Sequence, residues 1–375
     1  MADESVVHSI VPGTAAVTHI LAIGVGHYPH LPEGQGQPLA DPQGLGQLTS
    51  PPASARAFAT WTIEHWKNPE RELASVRLLV SEQPRQTFRN PRTGQDLVPA
   101  PATIDNIEAA VSEWKAKGDE NPDNLLVFYF CGHGLGNNPL LALLAEDFGS
   151  NPDNALDGAI DFGKFRSGMN RSKAQWQCYF VDACRNTADL LAYGEGVAGR
   201  PLLLPSALAP RKQQPTFYST LVGAQAHGPQ NKPSYFTESL IEALEGAGAD
   251  KNLGHWGVST TRLQEALLSR MTRKKRGQVP PADDVTKFYL HWLSGPPMVP
   301  VIVRCEPEDA LLMMRLICVV DGNQLHCREP AAEPWELELQ AGMYAFSAVR
   351  DGDEKARSEE YVLPPEQAVP LKVAP

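Results

Sequence analysis

The chain has 375 residues, 42% of them hydrophobic, which is enough for a large core in one or two domains. Its net charge of −11 argues against a broad nucleic-acid-binding surface. The N-terminal segment MADESVVHSI is acidic and lacks the features of a signal peptide. The apolar runs are also far shorter than the ~18 residues that suggest a membrane span. We therefore expect a cytoplasmic protein with no membrane and no nucleic-acid partner.

Apolar runs that suit buried strands alternate with helical patterns along the first 290 residues. The predicted strands cover 18–28, 74–81, 124–134, 177–184 and 215–226. The predicted helices cover 53–66, 102–118, 162–169, 234–246 and 259–271, and Thr103 is the expected N-cap of the second. Strands that alternate with helices predict an α/β fold: an open, mostly parallel sheet with helices on both faces.

The pattern changes at a Pro/Gly-rich segment, SGPPMVP, at residues 294–300. Beyond it the chain carries short runs of β character and no helix-length apolar stripe, which predicts a small β-sandwich-like accessory domain over 298–375. The α/β domain is placed at 15–295, and residues 1–14 are expected to be an N-terminal extension. The accessory domain is expected to regulate the protein or to recruit a regulatory partner.

Two of the predicted strands end in residues that can carry chemistry. FYFCGHG contains His133 between two glycines, and CYFVDAC ends in Cys184. Since the carboxyl ends of parallel strands gather at one edge of a sheet, we expect the imidazole and the thiol to share that edge. A neighbouring histidine favours the thiolate, which is the nucleophilic form of cysteine. The backbone N–H groups of Gly134 and Cys184 are candidates to bind an oxyanion.

Other interpretations of these residues stay open at this point. A single strand-end histidine is more often structural, and a buried single cysteine is usually inert. A zinc site from Cys131, His133, Cys178 and Cys184 is a further alternative, although no compact ligand pair supports it. His227 is a second candidate base, but His133 has the flanking glycines. No metal and no cofactor are predicted.

The segment YFCGHG, with DACRN placing a cysteine 51 residues after the histidine, resembles the motifs of caspase-like cysteine peptidases, the caspase and metacaspase group. Asp182 and Asn186 stand where caspases carry Gln and Gly, and the Asp-x-Cys form is more similar to metacaspases and their bacterial relatives. The resemblance covers about residues 15–290. It implies a caspase-like fold and peptide hydrolysis through an acyl-thioenzyme, with Cys184 as the nucleophile and His133 as the proton-transfer group.

The resemblance also implies a preference for the substrate residue before the cleaved bond, P1. Metacaspases, which cleave after Arg or Lys, carry an acid two residues before the nucleophile, and Asp182 matches that position. A second acid usually comes from the loop after the first strand, where Asp41 and Glu33 are candidates although the surrounding motif does not match. Ala224 is expected at the pocket rim, contacting substrate. The alternative is that Asp182 only hydrogen-bonds the turn after its strand.

The expected partner is therefore a protein or peptide substrate, and bacterial relatives suggest a role in programmed cell death or antiviral defence. The calcium-binding acidic cluster of many metacaspases is not recognisable in this sequence. Two alternatives stay open: a catalytically silent caspase-like scaffold, and a cysteine hydrolase or acyltransferase that does not cleave peptides. The presence of both His133 and Cys184 argues against the silent scaffold. A panel of activity assays separates a peptidase from a cysteine hydrolase or acyltransferase that does not cleave peptides.

Overall fold

The computed structural model describes residues 5–42, 44–137, 140–184, 199–205, 209–220, 229–274 and 279–373. The chain divides into two compact units. The first comprises Met1–Ile241 with Met271–Phe288, and the second comprises Glu242–Arg270 with Tyr289–Pro375. The predicted α/β domain at 15–295 thus includes parts of both units, and the predicted domain boundaries stay a prediction.

The elements alternate through the first 290 residues and are almost all strands thereafter. In chain order the strands are β1 (Val6–Ser9), β2 (Val17–Val25), β3 (Glu72–Ser81), β4 (Phe88–Arg89), β5 (Asp96–Leu97), β6 (Leu125–Gly132), β7 (Gly134–Asn137), β8 (Leu140–Leu144), β9 (Ala159–Asp161), β10 (Trp176–Ala183), β11 (Thr216–Tyr218), β12 (Ala249–Asn252), β13 (His255–Ser259), β14 (Ala282–Asp283), β15 (Tyr289–Trp292), β16 (Met298–Glu306), β17 (Arg315–Val320), β18 (Asn323–Arg328), β19 (Trp335–Gln340), β20 (Gly342–Arg350), β21 (Asp353–Val362) and β22 (Gln367–Lys372). The helices are α1 (Ser50–His65), α2 (Ile104–Gly118), α3 (Phe162–Gly168), α4 (Tyr235–Glu242) and α5 (Thr260–Arg273), with short helical turns at Ala155–Gly158, Met169–Arg171, Ala243–Ala247 and Glu308–Leu312.

A seven-stranded sheet in the order β1-β3-β2-β6-β10-β11-β14 lies at the centre of the first unit. The neighbours from β3 to β11 are parallel, while β1 and β14 pair antiparallel at the two edges. The mostly parallel α/β sheet predicted from the sequence is therefore confirmed. The strand β1 lies within residues 1–14, so part of the expected extension belongs to the sheet.

Helices cover both faces of this sheet, as predicted. Phe58 of α1 stacks on Tyr129 with ring centroids 4.6 Å apart, and Trp114 of α2 packs against Phe128 at 6.3 Å. Because Phe128 and Tyr129 are consecutive residues of β6, their side chains point to opposite faces. The N-cap prediction for α2 is also confirmed, since the Thr103 hydroxyl accepts a hydrogen bond from a backbone N–H of the first turn.

Several stretches differ from the predicted elements, and two of them lie next to β6 or β10. The strand predicted over 215–226 is represented by the short β11, and residues 221–228 lie outside the described chain. Directly after β6, the strands β7, β8 and β9 form a small antiparallel sheet that the sequence did not predict. Its first strand is rich in glycine, and glycine contributes no side chain to the alternating pattern by which half-buried strands are recognised.

The described residues of the second unit form three sheets. One is antiparallel, in the order β12-β13-β15, and the others follow the orders β19-β16-β22 and β18-β17-β20-β21. The last two lie within residues 298–373, so the predicted β character of this region is confirmed. Val301, Leu316 and Phe346 are among its fully buried side chains. None of the helices in the described parts of the chain has the length and apolar character needed to cross a membrane.

Candidate active site

The carboxyl ends of β6 and β10 bring two predicted site residues to adjacent positions. The strands are parallel neighbours, and their last paired residues are Gly132 and Ala183. The next residues, His133 and Cys184, thus directly follow the ends of adjacent strands, whose backbones are separated by about 4.8 Å. They face a cavity of about 320 Å³, here called the strand-end cavity, whose lining includes His133, Cys184, Cys131, Asp182, Ser50 and Ser234.

His133 is held through both its ring and its backbone. Its Nε2 lies 2.7 Å from the carbonyl oxygen of Gly46, and its backbone N–H donates to the Tyr28 hydroxyl at 2.9 Å. Because a carbonyl only accepts, Nε2 carries the proton of the neutral ring and Nδ1 is left as the acceptor. Burial lowers the pKa of His133, and the hydrogen bond to Gly46 opposes that change. The imidazole is therefore neutral near pH 7, the form that a general base requires.

The loop after β2 supplies these contacts because its end folds back on its beginning. The Gln47 side chain accepts a hydrogen bond from the Tyr28 N–H and donates one to the Tyr28 carbonyl, both at 2.9 Å. The Leu48 N–H donates to the Gly26 carbonyl at 2.8 Å. Together these bonds position Gly46 against the imidazole. Sequence analysis missed Gly46, because a backbone carbonyl can come from any residue type and leaves no signature in the sequence. It also missed Gln47 and Tyr28, because their side chains act only through the closure of this loop.

Gly134 lies against the end of β10. A Cβ at this position would lie 2.4 Å from the Cys184 carbonyl oxygen and 2.9 Å from the Ala183 Cβ, so only glycine fits without a shift of the backbone. The Leu144 N–H donates to the His133 carbonyl at 3.0 Å. Because N–H directions alternate along an antiparallel strand, the Gly134 N–H points away from β8. This direction is compatible with the oxyanion role, which stays a prediction.

Asp182 is buried and is the only carboxylate among the described residues that line the strand-end cavity. Its Oδ2 accepts hydrogen bonds from the Ser234 hydroxyl, the Thr237 hydroxyl at 3.1 Å and the Cys131 thiol at 3.3 Å. Burial raises the pKa of Asp182, while these hydrogen bonds and one from Ser219 oppose the rise. Donors that face the carboxylate favour its charged form and limit this rise, so the cavity contains a carboxyl group that can carry negative charge.

The other predicted substrate-binding residues are not brought to this cavity. Asp41 is exposed and does not belong to the cavity lining. Glu33 lines a neighbouring pocket, which shares residues 47–49 with the strand-end cavity. The loop after β2 therefore provides the Gly46 carbonyl and the Tyr28 hydroxyl as contacts to the histidine, instead of the expected second acid. Ala224 and the alternative base His227 lie outside the described residues.

The zinc alternative loses one of its four ligands. Cys178 is fully buried within β10. It precedes Cys184 by six residues along an extended strand, which corresponds to roughly 20 Å. The two thiols cannot bind one metal ion at that separation. Among the described residues, no group of three or more His, Cys, Asp or Glu side chains is arranged to hold a metal.

Comparison with known proteins finds similar proteins and structures at low sequence identity. The protein y4kE of Sinorhizobium fredii, named as uncharacterized, is 26% identical over 231 residues, which are 59% of this chain and 63% of that protein. The chain therefore spans less than two thirds of this relative. Protein GSU0716 of Geobacter sulfurreducens is 13% identical with a TM-score of 0.41, over 71% of this chain and 92% of that structure. Caspase-1 of Spodoptera frugiperda is 11% identical with a TM-score of 0.39, over 74% and 90%.

The family model of the caspase domain matches residues 82–286 of this chain. The matched segment covers more than half of the 375 residues. It includes β6 and β10 and the residues that follow them, His133 and Cys184. On the strength of this match, the chain belongs to the caspase domain family.

Proposed function

We propose that the protein is a cysteine endopeptidase that hydrolyses peptide bonds after Lys or Arg, with Cys184 as the nucleophile. The observation that carries the proposal is the position of His133. Its Nε2 donates to the Gly46 carbonyl, and it follows β6 directly, as Cys184 follows the paired strand β10. Membership of the caspase domain family supports the cysteine peptidase chemistry. The carboxylate of Asp182 in the same cavity supports the preference for a basic residue.

The reaction follows from the acceptor left on the imidazole. Nδ1 of His133 takes the proton of the Cys184 thiol as Sγ attacks the substrate carbonyl carbon. The Gly46 carbonyl keeps the ring in one orientation and stabilises the imidazolium that forms. The N–H groups of Gly134 and Cys184 stabilise the negative charge on the substrate oxygen. The imidazolium then protonates the leaving amine, and the same imidazole activates the water that hydrolyses the acyl-thioenzyme.

Asp182 provides the charge selectivity in this proposal. It lies two residues before Cys184, and side chains two residues apart on a strand share a face. A carboxylate in a buried cavity attracts a cationic side chain more strongly than one in water, because the effective dielectric constant is lower. A Lys or Arg next to the scissile bond therefore gains a charge-assisted hydrogen bond that a neutral side chain lacks.

A panel of fluorogenic peptides that differ only at P1 tests the proposal. Wild-type protein is expected to hydrolyse the Lys and Arg peptides, and Cys184→Ala is expected to lose turnover. Cys327→Ala, which removes an exposed thiol from the second unit, is the matched control and is expected to retain turnover. Full turnover by Cys184→Ala would exclude it as the nucleophile. A folded wild-type protein that hydrolyses no peptide would favour the non-catalytic scaffold.

A further inference from the structure

We infer that the site selects lysine over arginine at P1, an inference that rests on the proposed function. Its basis is the way in which Asp182 is held. Among the described residues, three donors converge on Oδ2 of the carboxylate, so the two oxygens are not equivalent for a substrate. The preferred substrate is then a peptide that presents a compact ammonium group.

Three donors meet at Oδ2 of Asp182. The Cys131 thiol comes from the neighbouring strand β6, Thr237 comes from α4, and Ser234 directly precedes that helix. The Tyr129 hydroxyl lies 2.6 Å from the Thr237 hydroxyl. Because each hydroxyl has one proton, a bond from Tyr129 to Thr237 leaves the Thr237 proton for the carboxylate. The arrangement is consistent with an ionised Asp182 whose Oδ2 is fully used within the protein.

Arginine and lysine need different arrangements of acceptors. A guanidinium is planar, and it binds a carboxylate best through two parallel N–H groups that meet two oxygens. At Asp182 such a fork finds Oδ2 already occupied and pairs with Oδ1 alone. The three N–H groups of an ammonium radiate from a single atom and do not need to lie in one plane. A lysine therefore loses less than an arginine when only one carboxylate oxygen is available.

Ser50 adds a second acceptor that suits an ammonium group. It lines the strand-end cavity, and its Oγ is buried with no hydrogen-bond partner among the described residues. A hydroxyl oxygen accepts one N–H group but offers no paired oxygen for a fork. Asp182 and Ser50 thus present two separate single acceptors, which match the geometry of lysine better than that of arginine.

The test compares otherwise identical peptides with Lys, Arg or norleucine at P1 on the full-length protein. The value of kcat/KM for Lys is expected to exceed that for Arg by about fivefold, and the uncharged norleucine peptide is expected to be the poorest. Thr237→Val and Ser234→Ala each remove one donor from Oδ2, so each should shift the ratio towards Arg. Thr237→Ser keeps the hydroxyl and should keep the wild-type ratio. A purely structural role of these donors would lower both rates without changing the ratio.

The outcomes separate this inference from the proposed function. A wild-type enzyme that hydrolyses Arg peptides as well as or better than Lys peptides overturns the lysine preference and leaves the peptidase assignment in place. An unchanged ratio in both Thr237→Val and Ser234→Ala overturns the explanation through Oδ2. If neither basic peptide is hydrolysed by the folded wild type, the proposed function and the inference both fail.

Discussion

Cys131 and Asp182 are paired across β6 and β10, and His133 and Cys184 come two residues later on the same face. We call Cys131 and Asp182 the inner pair, and His133 and Cys184 the outer pair. The residues of the inner pair are buried and hydrogen-bonded to each other. In the outer pair, Cys184 is only half-buried, and the imidazole of His133 has its Nδ1 available. The same two strands thus place the inner pair, which includes a carboxyl group, next to the outer pair, which includes the thiol and the imidazole. In the proposed enzyme, the inner pair selects the substrate and the outer pair makes and breaks bonds.

Burial acts on both pairs but leads to different chemistry. It raises the pKa of the Cys131 thiol and of Asp182, and it lowers the pKa of His133, because the charged form of each group is disfavoured. The result is a thiol that stays protonated as a donor and an imidazole that stays neutral as a base. Asp182 differs because its hydrogen-bond donors oppose the effect of burial without cancelling it. Two of these donors, the hydroxyls of Ser234 and Thr237, lie far away in the sequence.

The largest effect is expected from His133→Ala, which removes the base of the outer pair. The kcat for a P1 Lys peptide should fall by about 10³-fold, with a much smaller change in KM, because general acid–base catalysis is lost while the inner pair is intact. His326→Ala, at an exposed histidine of the second unit, is the control. Steady-state kinetics on variants with unchanged thermal unfolding decide the point. A rise in KM without a fall in kcat would assign His133 to binding.

Asp182→Asn breaks the inner pair and should affect selection more than chemistry. The kcat/KM for a P1 Lys peptide is expected to fall by about 10²-fold, because the charge-assisted contact is lost. The rate for a norleucine peptide should change far less, so the selectivity between the two peptides should collapse. Equal losses for both peptides would mean that Asp182 stabilises the site without contacting the P1 side chain.

Tyr28→Phe tests how the outer pair is positioned. The variant leaves the His133 backbone N–H buried without its acceptor, which should lower the free energy of unfolding by about 1–3 kcal/mol. A displaced imidazole should also lower kcat by roughly tenfold. Urea unfolding and kinetics measure the two effects, and Tyr361→Phe, at an exposed tyrosine, is the control. Unchanged stability and unchanged kcat would show that the hydroxyl does not hold His133.

The two pairs also show what a sequence can predict. Both β6 and β10 were predicted because central parallel strands are continuous apolar runs, and the break in that pattern marked His133 and Cys184. The partners of Asp182 were not predicted. Ser234 and Thr237 lie more than 50 residues away along the chain, and a Ser immediately before a helix is already explained by capping, since its Oγ accepts the Thr237 N–H.

The contacts from the loop after β2 were beyond prediction for another reason. This loop has no periodic pattern, so acidic residues such as Asp41 were the natural candidates to reach the cavity. The structure instead uses the Gly46 carbonyl, whose position depends on hydrogen bonds of Gln47 that close the loop. Residue type indicates which side chains can take part in the chemistry, whereas the closure of the loop determines which backbone atoms contact His133.

The smallest expected effect is a difference between the pH profiles of kcat/KM for two substrates of the wild-type protein. This difference distinguishes the role of the inner pair from that of the outer pair. Burial lowers the pKa of His133 below its ordinary value of 6.5. A general base must be neutral, so kcat/KM should be full above this pKa and fall as the pH drops through it, with a midpoint below 6.5 for every P1 residue. Protonation of Asp182, whose pKa is raised from 3.8, should remove the attraction for lysine only. The Lys peptide should therefore show an additional loss at low pH that the norleucine peptide lacks. Profiles that coincide for the two peptides would contradict a charge-selecting inner pair, and a common midpoint above 6.5 would contradict the buried neutral imidazole.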